Sequence, residues 1–310
     1  MGRYIFVRVM QGIVVIFLIS VLTFIIMRMM PGDPVYLLFG EGKVRITEEQ
    51  MQAIRARWGL DQPYYVQYMV WARNMLTGDF GDSLIRTGTP VRQMIFEAIP
   101  VTLTLNLYAM LLALSISIPL GIWAGMRRNS FVDYFASIVS AMGIATPNFW
   151  LGLMLIVIFS LVLGLLPPFG LRSWQGYILP VIVLAAEQMA VVTRVMRSST
   201  VEVLNEDYVR TARAKGLTER TVIIRHAVRN ALLPVVTVIG FNIAFILSGT
   251  IVVETVFALP GIGRLFTDSV FRLDYQVVQS LFVLLAALVV VVNLLTDLLY
   301  ALIDPRIRFD

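Results

Sequence analysis

Residues 101–128 read VTLTLNLYAMLLALSISIPLGIWAGMRR, an uncharged run closed by two arginines. A hydrocarbon core about 30 Å thick is crossed by roughly 20 apolar residues of helix. Val101–Met126 is therefore one complete crossing. The same criterion, carried outward, marks Val9–Met27 before it and Phe131–Leu166, Tyr177–Val195, Leu232–Val253 and Val277–Leu302 after it. Phe131–Leu166 is too long for one simple span. Thr146-Pro147-Asn148 interrupts it, and proline removes a backbone donor and disfavours helix at the preceding residue. Six spans, one of them broken, make this an all-α polytopic membrane protein.

Composition agrees with the spans. The chain has 310 residues, 58% of them hydrophobic and 15% charged, where soluble domains carry about 25% charged residues. It has no cysteine, which excludes disulfides, thiolate metal sites, iron–sulfur clusters and a thiol nucleophile. His226 is the single histidine, so no multi-histidine metal site can form; it reads as a solvated loop residue. Net charge is +5. In a membrane chain such an excess marks cytoplasmic loops rather than nucleic-acid binding.

Lysine and arginine cluster in alternate connections. Arg3 and Arg8 precede the first span, Arg127 and Arg128 follow the second, the 194–231 segment holds eight, and Arg306 and Arg308 follow the sixth. The short connections on the other side hold Arg172, Arg264 and Arg272. This asymmetry predicts both termini in the cytoplasm. The first span lacks a small-residue cleavage site and is read as a retained anchor.

Four divisions follow. Residues 1–30 are the N-terminal end and first span, and 31–98 a small extracytoplasmic subdomain. Residues 99–302 are a core of five spans with a cytoplasmic loop at 196–231, and 303–310 a tail. Within the subdomain, Thr47-Glu48-Glu49-Gln50 has capping-box spacing and opens a helix that reaches Trp58 and stops at Gly59. A second helix is predicted from Pro63 to Leu76. It places Tyr64, Tyr65, Tyr68 and Trp71 mostly on one side, to pack on the rim of the membrane domain. Turn signals follow in TGDFGDS and TGTP.

The charged stretch between the fourth and fifth spans, EDYVRTARAKGLTERTVIIRHAVRNALLP (206–234), contains no catalytic set. Asn205 is positioned to cap a helix with Glu206 and Asp207 in its first turn, where negative charge meets the positive end of the dipole. Arg210, Arg213 and Lys215 fall toward its end. Gly216 then takes the left-handed position that ends a helix at least cost. Thr218 caps a second helix with Glu219 in its first turn, and Pro234 opens the fifth span. A solvated helix of about ten residues is marginal alone in water. Two readings stand: an ordinary amphipathic loop helix, or a docking surface for a soluble partner.

YVRTARAKGL (208–217) followed by RHAVRNALLP (225–234) resembles the cytoplasmic loop of ABC importer permeases of the dipeptide/oligopeptide/nickel branch. Gly216 matches the glycine of their EAA-type motif, with Arg210-Thr211-Ala212 in place of Glu-Ala-Ala. MMPGDP (29–34), GLDQPYYVQY (59–68), GDFGDS (78–83), ETVFALPGIG (254–263) and DPRIR (304–308) resemble the same branch, in order, along essentially the whole chain. The resemblance implies a type I importer permease fold in the bacterial or archaeal cytoplasmic membrane. It implies four kinds of partner: a second homologous permease, two ATPase subunits that bind ATP and Mg, an extracytoplasmic binding protein, and membrane lipid. It also implies that Glu206, Asp207, Tyr208, Arg210, Thr211, Ala212, Arg213, Ala214, Lys215, Gly216 and Leu217 form the ATPase contact. The branch handles dipeptides, longer peptides, glutathione, nickel chelates and some sugars. The chain has no P-loop of its own, because its only Gly-Lys, Gly42-Lys43, has Leu37 where that loop needs glycine. No cofactor, metal or nucleic acid is expected on this chain.

Intramembrane carboxylates are candidate functional groups. Glu187 lies in the fourth span and Asp297 near the inner end of the sixth, and Arg194 is placed to approach either. They read as pathway-lining or ion-paired residues. A self-sufficient gradient-driven carrier is the alternative, and a membrane enzyme is remote because no nucleophile–base or metal set assembles. The loop ETVFALPGIGRLF is either a re-entrant packing element or part of an outer gate.

Overall fold

A computed structural model describes residues 2–29, 47–86 and 88–303. Its long helices are α1 (Gly2–Met29), α4 (Val91–Met126), α7 (Ile178–Leu204), α9 (Arg229–Val256) and α11 (Tyr275–Ile303). Shorter ones are α2 (Glu48–Arg57), α3 (Tyr64–Leu76), α5 (Phe131–Ala145), α6 (Asn148–Leu155), α8 (Asp207–Ala214) and α10 (Ile262–Phe271). Five helical stretches are long and apolar enough to cross a membrane, and a bent pair makes a sixth. That pair is α5 with α6 and its π-helical continuation Ile156–Val162, turned by 102°. The break falls at Thr146 and Pro147, where the proline rule places it. MMPGDP beyond Met29, Gly42-Lys43 and the DPRIR tail lie outside the described residues.

The chain forms two compact units, one from Met1–Pro100 with Gly261–Asp310 and the other from Val101–Pro260. In the first, α1 packs along α11. Thr47 and Gln50 close the capping box of α2, with Gln50 N donating to Thr47 Oγ1 at 3.3 Å and Thr47 N to Gln50 Oε1 at 3.1 Å. Tyr68 of α3 meets Phe24 edge-on at 5.5 Å, and its hydroxyl lies 2.9 Å from Ser20 Oγ. Trp71, one turn on, is buried. Tyr64 and Tyr65 are exposed instead; α3 touches α1 through Tyr68, so the aromatic stripe packs only in part. The turn after α3 is tied to the start of α11, as the Ser83 hydroxyl and the Leu84 amide donate to the two oxygens of Asp274. Burial pushes the Asp274 carboxyl above its ordinary value, and hydrogen bonds from Ser83, Leu84, Val277 and Ile85 oppose that rise.

The second unit is built around α7, which packs against α5, α6 and α9. Its core joins Leu105, Ala109 and Ala113 of α4 to Ile156, to Leu179 and Val183 of α7, and to Phe257 and Leu259. The segment ETVFALP (254–260) thus contributes core side chains: Ala258 takes φ 53° to end α9, and the Phe257 carbonyl accepts from Gly170 N at 2.9 Å. α4 approaches α7 through Gly121 and Gly125. A Cβ on Gly121 would lie 2.6 Å from Met196 Cβ, and one on Gly125 would lie 2.6 Å from Thr200 Cβ and 2.9 Å from the Arg197 carbonyl. This small-xxx-small spacing is how helices approach closely in lipid, where apolar burial supplies no drive for association. Gly125→Ala is expected to cost about 1–3 kcal/mol through overpacking, read as a lower melting temperature of the detergent-solubilised protein with its secondary structure unchanged.

Several helices outrun the sequence reading. α4 starts at Val91 and passes through Pro100, and α7 continues to Leu204 instead of stopping near Val195. Apolar-run length marks what lies in lipid, whereas helices extend past the hydrocarbon wherever their backbone bonds continue. The predicted loop 196–231 is accordingly mostly helix.

Candidate functional site

The 206–217 segment forms a short helix folded back onto its neighbours. Its N-cap is Glu206, with extended backbone, not Asn205 as the sequence suggested. Asn205 closes α7, its Nδ2 donating to the Val201 carbonyl at 2.8 Å. A residue finishing one helix is spent locally, so the acid after it starts the next. The Glu206 carbonyl accepts from Val209 N and Arg210 N at 3.0 and 3.2 Å.

α8 is not solvated on every side. Val209 and Ala212 are buried with Val222 against Val203 and Leu204. The spacing i, i+3 puts both on one face. The opposite face presents Glu206, Asp207, Arg210, Thr211, Ala214 and Lys215 to solvent. Arg210 and Asp207 are 3.5 Å apart on that face, with side chains 70% and 97% exposed. Thr211 Oγ1 donates back to the Asp207 carbonyl at 2.9 Å. Ala212 therefore anchors the helix from beneath, while its charged neighbours face outward.

A left-handed glycine and two side-chain ties hold α8 and the elbow after it. Gly216 takes φ 78°, and a Cβ there would meet nothing within 4 Å; its constraint is backbone conformation alone. Arg213 Nη2 and Nε donate to Glu219 Oε1 and Oε2 at 2.8 and 3.2 Å, spanning the turn as a fork. The carboxylate holds the Arg213 guanidinium above its already high ordinary value, so that cation stays charged. Asn230 Nδ2 donates to the Tyr208 hydroxyl at 2.9 Å, pinning the start of α8 to α9. Leu217 is 41% exposed at the elbow.

No separate second helix follows. Thr218 precedes a turn, Glu219–Thr221, that passes without interruption through the π-helical turn Val222–Val228 into α9, with Pro234 inside the helix rather than at its start. The sequence marked Gly216 and Thr218 as punctuation and was right. It had no signal for the π-helical turn, which places Val222 and Ala227 inward and Ile224 outward.

The intramembrane polar candidates separate. Glu187 Oε2 accepts from Asn148 Nδ2 at 2.9 Å, so its partner sits at the break in the third span and is not Arg194. Both Glu187 and Arg194 are exposed within the chain, two turns apart on α7. Asp297 is on α11, with its side chain outside the described residues. Besides Asp274, two buried acids among the described residues were not singled out by sequence. Asp133 is 2% exposed and paired with Arg197, whose Nη2 reaches Asp133 Oδ2 at 2.8 Å. Glu254 is fully buried, with Thr102 Oγ1 donating to it at 2.6 Å. The signal for Glu254 was available, as an acid inside an apolar run. Among the described residues no group of three or more acids and histidines could hold a metal ion.

Comparison with known proteins places this arrangement. The chain is 44% identical to the oligopeptide transport system permease protein AppB of Bacillus subtilis over the full length of both. It is 42% identical, again over both full lengths, to the glutathione transport system permease protein GsiC of Escherichia coli K12. The fold is similar to a solved chain of the MetNI methionine ABC transporter in an inward-facing conformation, with a TM-score of 0.56 and 15% identity, covering 68% of this chain and 97% of that one. The N-terminal component of binding-protein-dependent transport system membrane proteins matches residues 1–106. With the inner membrane component itself matched over residues 117–309, the chain belongs to the binding-protein-dependent transport system inner membrane components.

Proposed function

We propose that this chain is the non-catalytic transmembrane subunit of an ATP-driven peptide importer. With a second, homologous permease it encloses the pathway, and two cytoplasmic ATPase subunits, which bind ATP and Mg, drive it. An extracytoplasmic binding protein delivers the solute. The observation that carries the reading is the construction of α8: one face is buried by Val209 and Ala212, and the other, apart from Ala214, is polar and charged. Two side-chain ties, Arg213 to Glu219 and Asn230 to Tyr208, hold that outward face in a fixed pose, as a docking surface needs. Glu206, Asp207, Arg210, Thr211, Ala214 and Lys215 make the ATPase contact, with Tyr208, Arg213, Gly216 and Leu217 setting its pose. Both termini are cytoplasmic, and the 47–86 helices and turn are extracytoplasmic, a reading the arginine asymmetry of the short connections supports.

Full-length identity to the oligopeptide permease supports a peptide substrate. The glutathione permease supports the second reading, uptake of glutathione, itself a peptide. Glu187 and Arg194, exposed on α7, face the pathway or the second permease. The test is co-purification. Expressed with its genomic neighbours, the chain is expected to emerge with a second permease and an ATPase, and the complex to hydrolyse ATP faster when loaded binding protein is added. Emergence as a lone chain that still transports under an ion gradient would establish the carrier alternative instead.

A further inference from the structure

Within the first unit, the end of α1, α3, the turn after it and the start of α11 surround a cavity of about 140 Å³. Its walls carry Arg28, Gln67, Trp71 and Gln279, with Trp58 and Asp79 beside them. Three of these side chains have buried donors with no hydrogen-bond partner: Arg28 Nη1, Trp71 Nε1 and Gln279 Nε2. Trp71 is 7% exposed and Gln279 1%. An unpaired buried donor costs roughly 1–3 kcal/mol, and three in one cavity are a large standing cost with no structural purpose.

The rest of the wall is arranged to keep Arg28 in place. Its guanidinium lies over the Phe24 ring at 4.6 Å and the Tyr275 ring at 4.7 Å. Its Nε donates to Gln67 Oε1 at 3.0 Å, and the Gln67 amide nitrogen is engaged by the carbonyls of Gln62, at 2.7 Å, and Leu60, at 3.3 Å. Two rings and one amide thus immobilise the cation and leave Nη1 unused. The site is a set of donors waiting for an acceptor.

We propose that this cavity binds the carboxylate group of a small solute. A single water accepts about two hydrogen bonds and must place its own protons, whereas a carboxylate has four lone-pair sites and only accepts. A guanidinium matches it in plane and charge. The charge count favours a monoanion: among the described residues Arg28 is the one cation on the wall, and the one acid there, Asp79, already accepts from Gly81 N at 2.9 Å. A phosphate dianion would leave charge uncompensated beside Asp79. The site lies at the end of α1 that leads into the 47–86 region, within the first unit, and does not depend on the ATPase assignment.

Acetate is the probe, with binding to the full-length chain in detergent read by saturation transfer to its methyl protons. A saturable signal is expected. Because hydrogen bonds to charged groups are the stronger kind, Gln279→Leu is expected to weaken acetate about tenfold. Trp71→Phe, which keeps the ring and removes only the donor, is expected to weaken it several-fold. Arg28→Gln is expected to abolish the signal. Trp71→Phe and Gln279→Leu stay informative if Arg28→Gln fails to fold. Absence of a saturable signal in the unaltered chain overturns the proposal. So does acetate binding of equal strength in the Trp71 and Gln279 variants, or saturable inorganic phosphate binding that excludes acetate.

Discussion

In a Gly216→Val variant, ATP hydrolysis stimulated by loaded binding protein is expected to fall about tenfold. Membrane insertion and the amount of assembled complex are expected to stay unchanged. The cause is confined to the backbone. Gly216 sits at φ 78° with open space where a side chain would go, so no clash competes with the conformational effect. A left-handed backbone costs an L-residue about 1–2 kcal/mol, which near 1.4 kcal/mol is a factor of ten in the population of the elbow. β-Branching makes valine a poor guest there, whereas asparagine tolerates this region. Gly216→Asn is therefore expected to retain most of the coupling. Full coupling in the valine variant would remove the elbow from the mechanism, and equal loss in both variants would point to a cause other than backbone geometry.

The second large effect is on stability. Asp133→Leu is expected to destabilise the protein by about 3–5 kcal/mol, because removing one partner of a buried ion pair strands the other. Asp133 starts α5, 2% exposed, where Ser130 Oγ caps the helix by accepting from Asp133 N. One of its oxygens also accepts from Asn129 N at 2.9 Å. Arg197, on α7, pairs with no other acid among the described residues and keeps a side chain 31% exposed. That partial exposure lets it reach solvent and places the expected loss toward the lower end of the range. The measurement is the thermal unfolding midpoint in detergent, with the double variant Asp133→Leu/Arg197→Met as comparison. Recovery of stability in the double variant is expected, since replacing both charges by apolar groups restores satisfaction.

These residues also show what a single sequence conveys. The six crossings were legible because lipid demands long apolar helices, and the break at Pro147 because proline has a fixed local meaning. Gly216 was legible for the same reason. Asn205 was misassigned because two helices abut there, and local propensity cannot say which one claims a capping residue. The buried face of α8 went unseen: Val209 and Ala212 are too few to register as an amphipathic period, and their partners Val203 and Val222 lie on other helices. Arg194 was placed to approach Glu187 or Asp297; Glu187 takes Asn148 instead, and the Asp297 side chain lies outside the described residues. Two residues seven apart share a helix face, but Asn148 reaches Glu187 through a bend whose direction no local rule supplies.

One last consequence belongs to the uninterrupted helix from Glu219 to Val256. At 1.5 Å per residue such a rod is roughly 57 Å long. Its near end is gripped at Glu219 by Arg213, at Val222 by the underside of α8, and at Asn230 by Tyr208. Its far end carries Glu254, held by Thr102, and runs directly into Phe257 and Leu259 in the core. No loop interrupts the helix between these points. Under the proposed coupling role, a tilt imposed on α8 would become a swing of the far end. The π-helical turn at Val222–Val228 and Pro234 are the places where the rod can flex, and both lie near the α8 end. In that role the helix would act as a connecting rod with its suspension built in beside the crank.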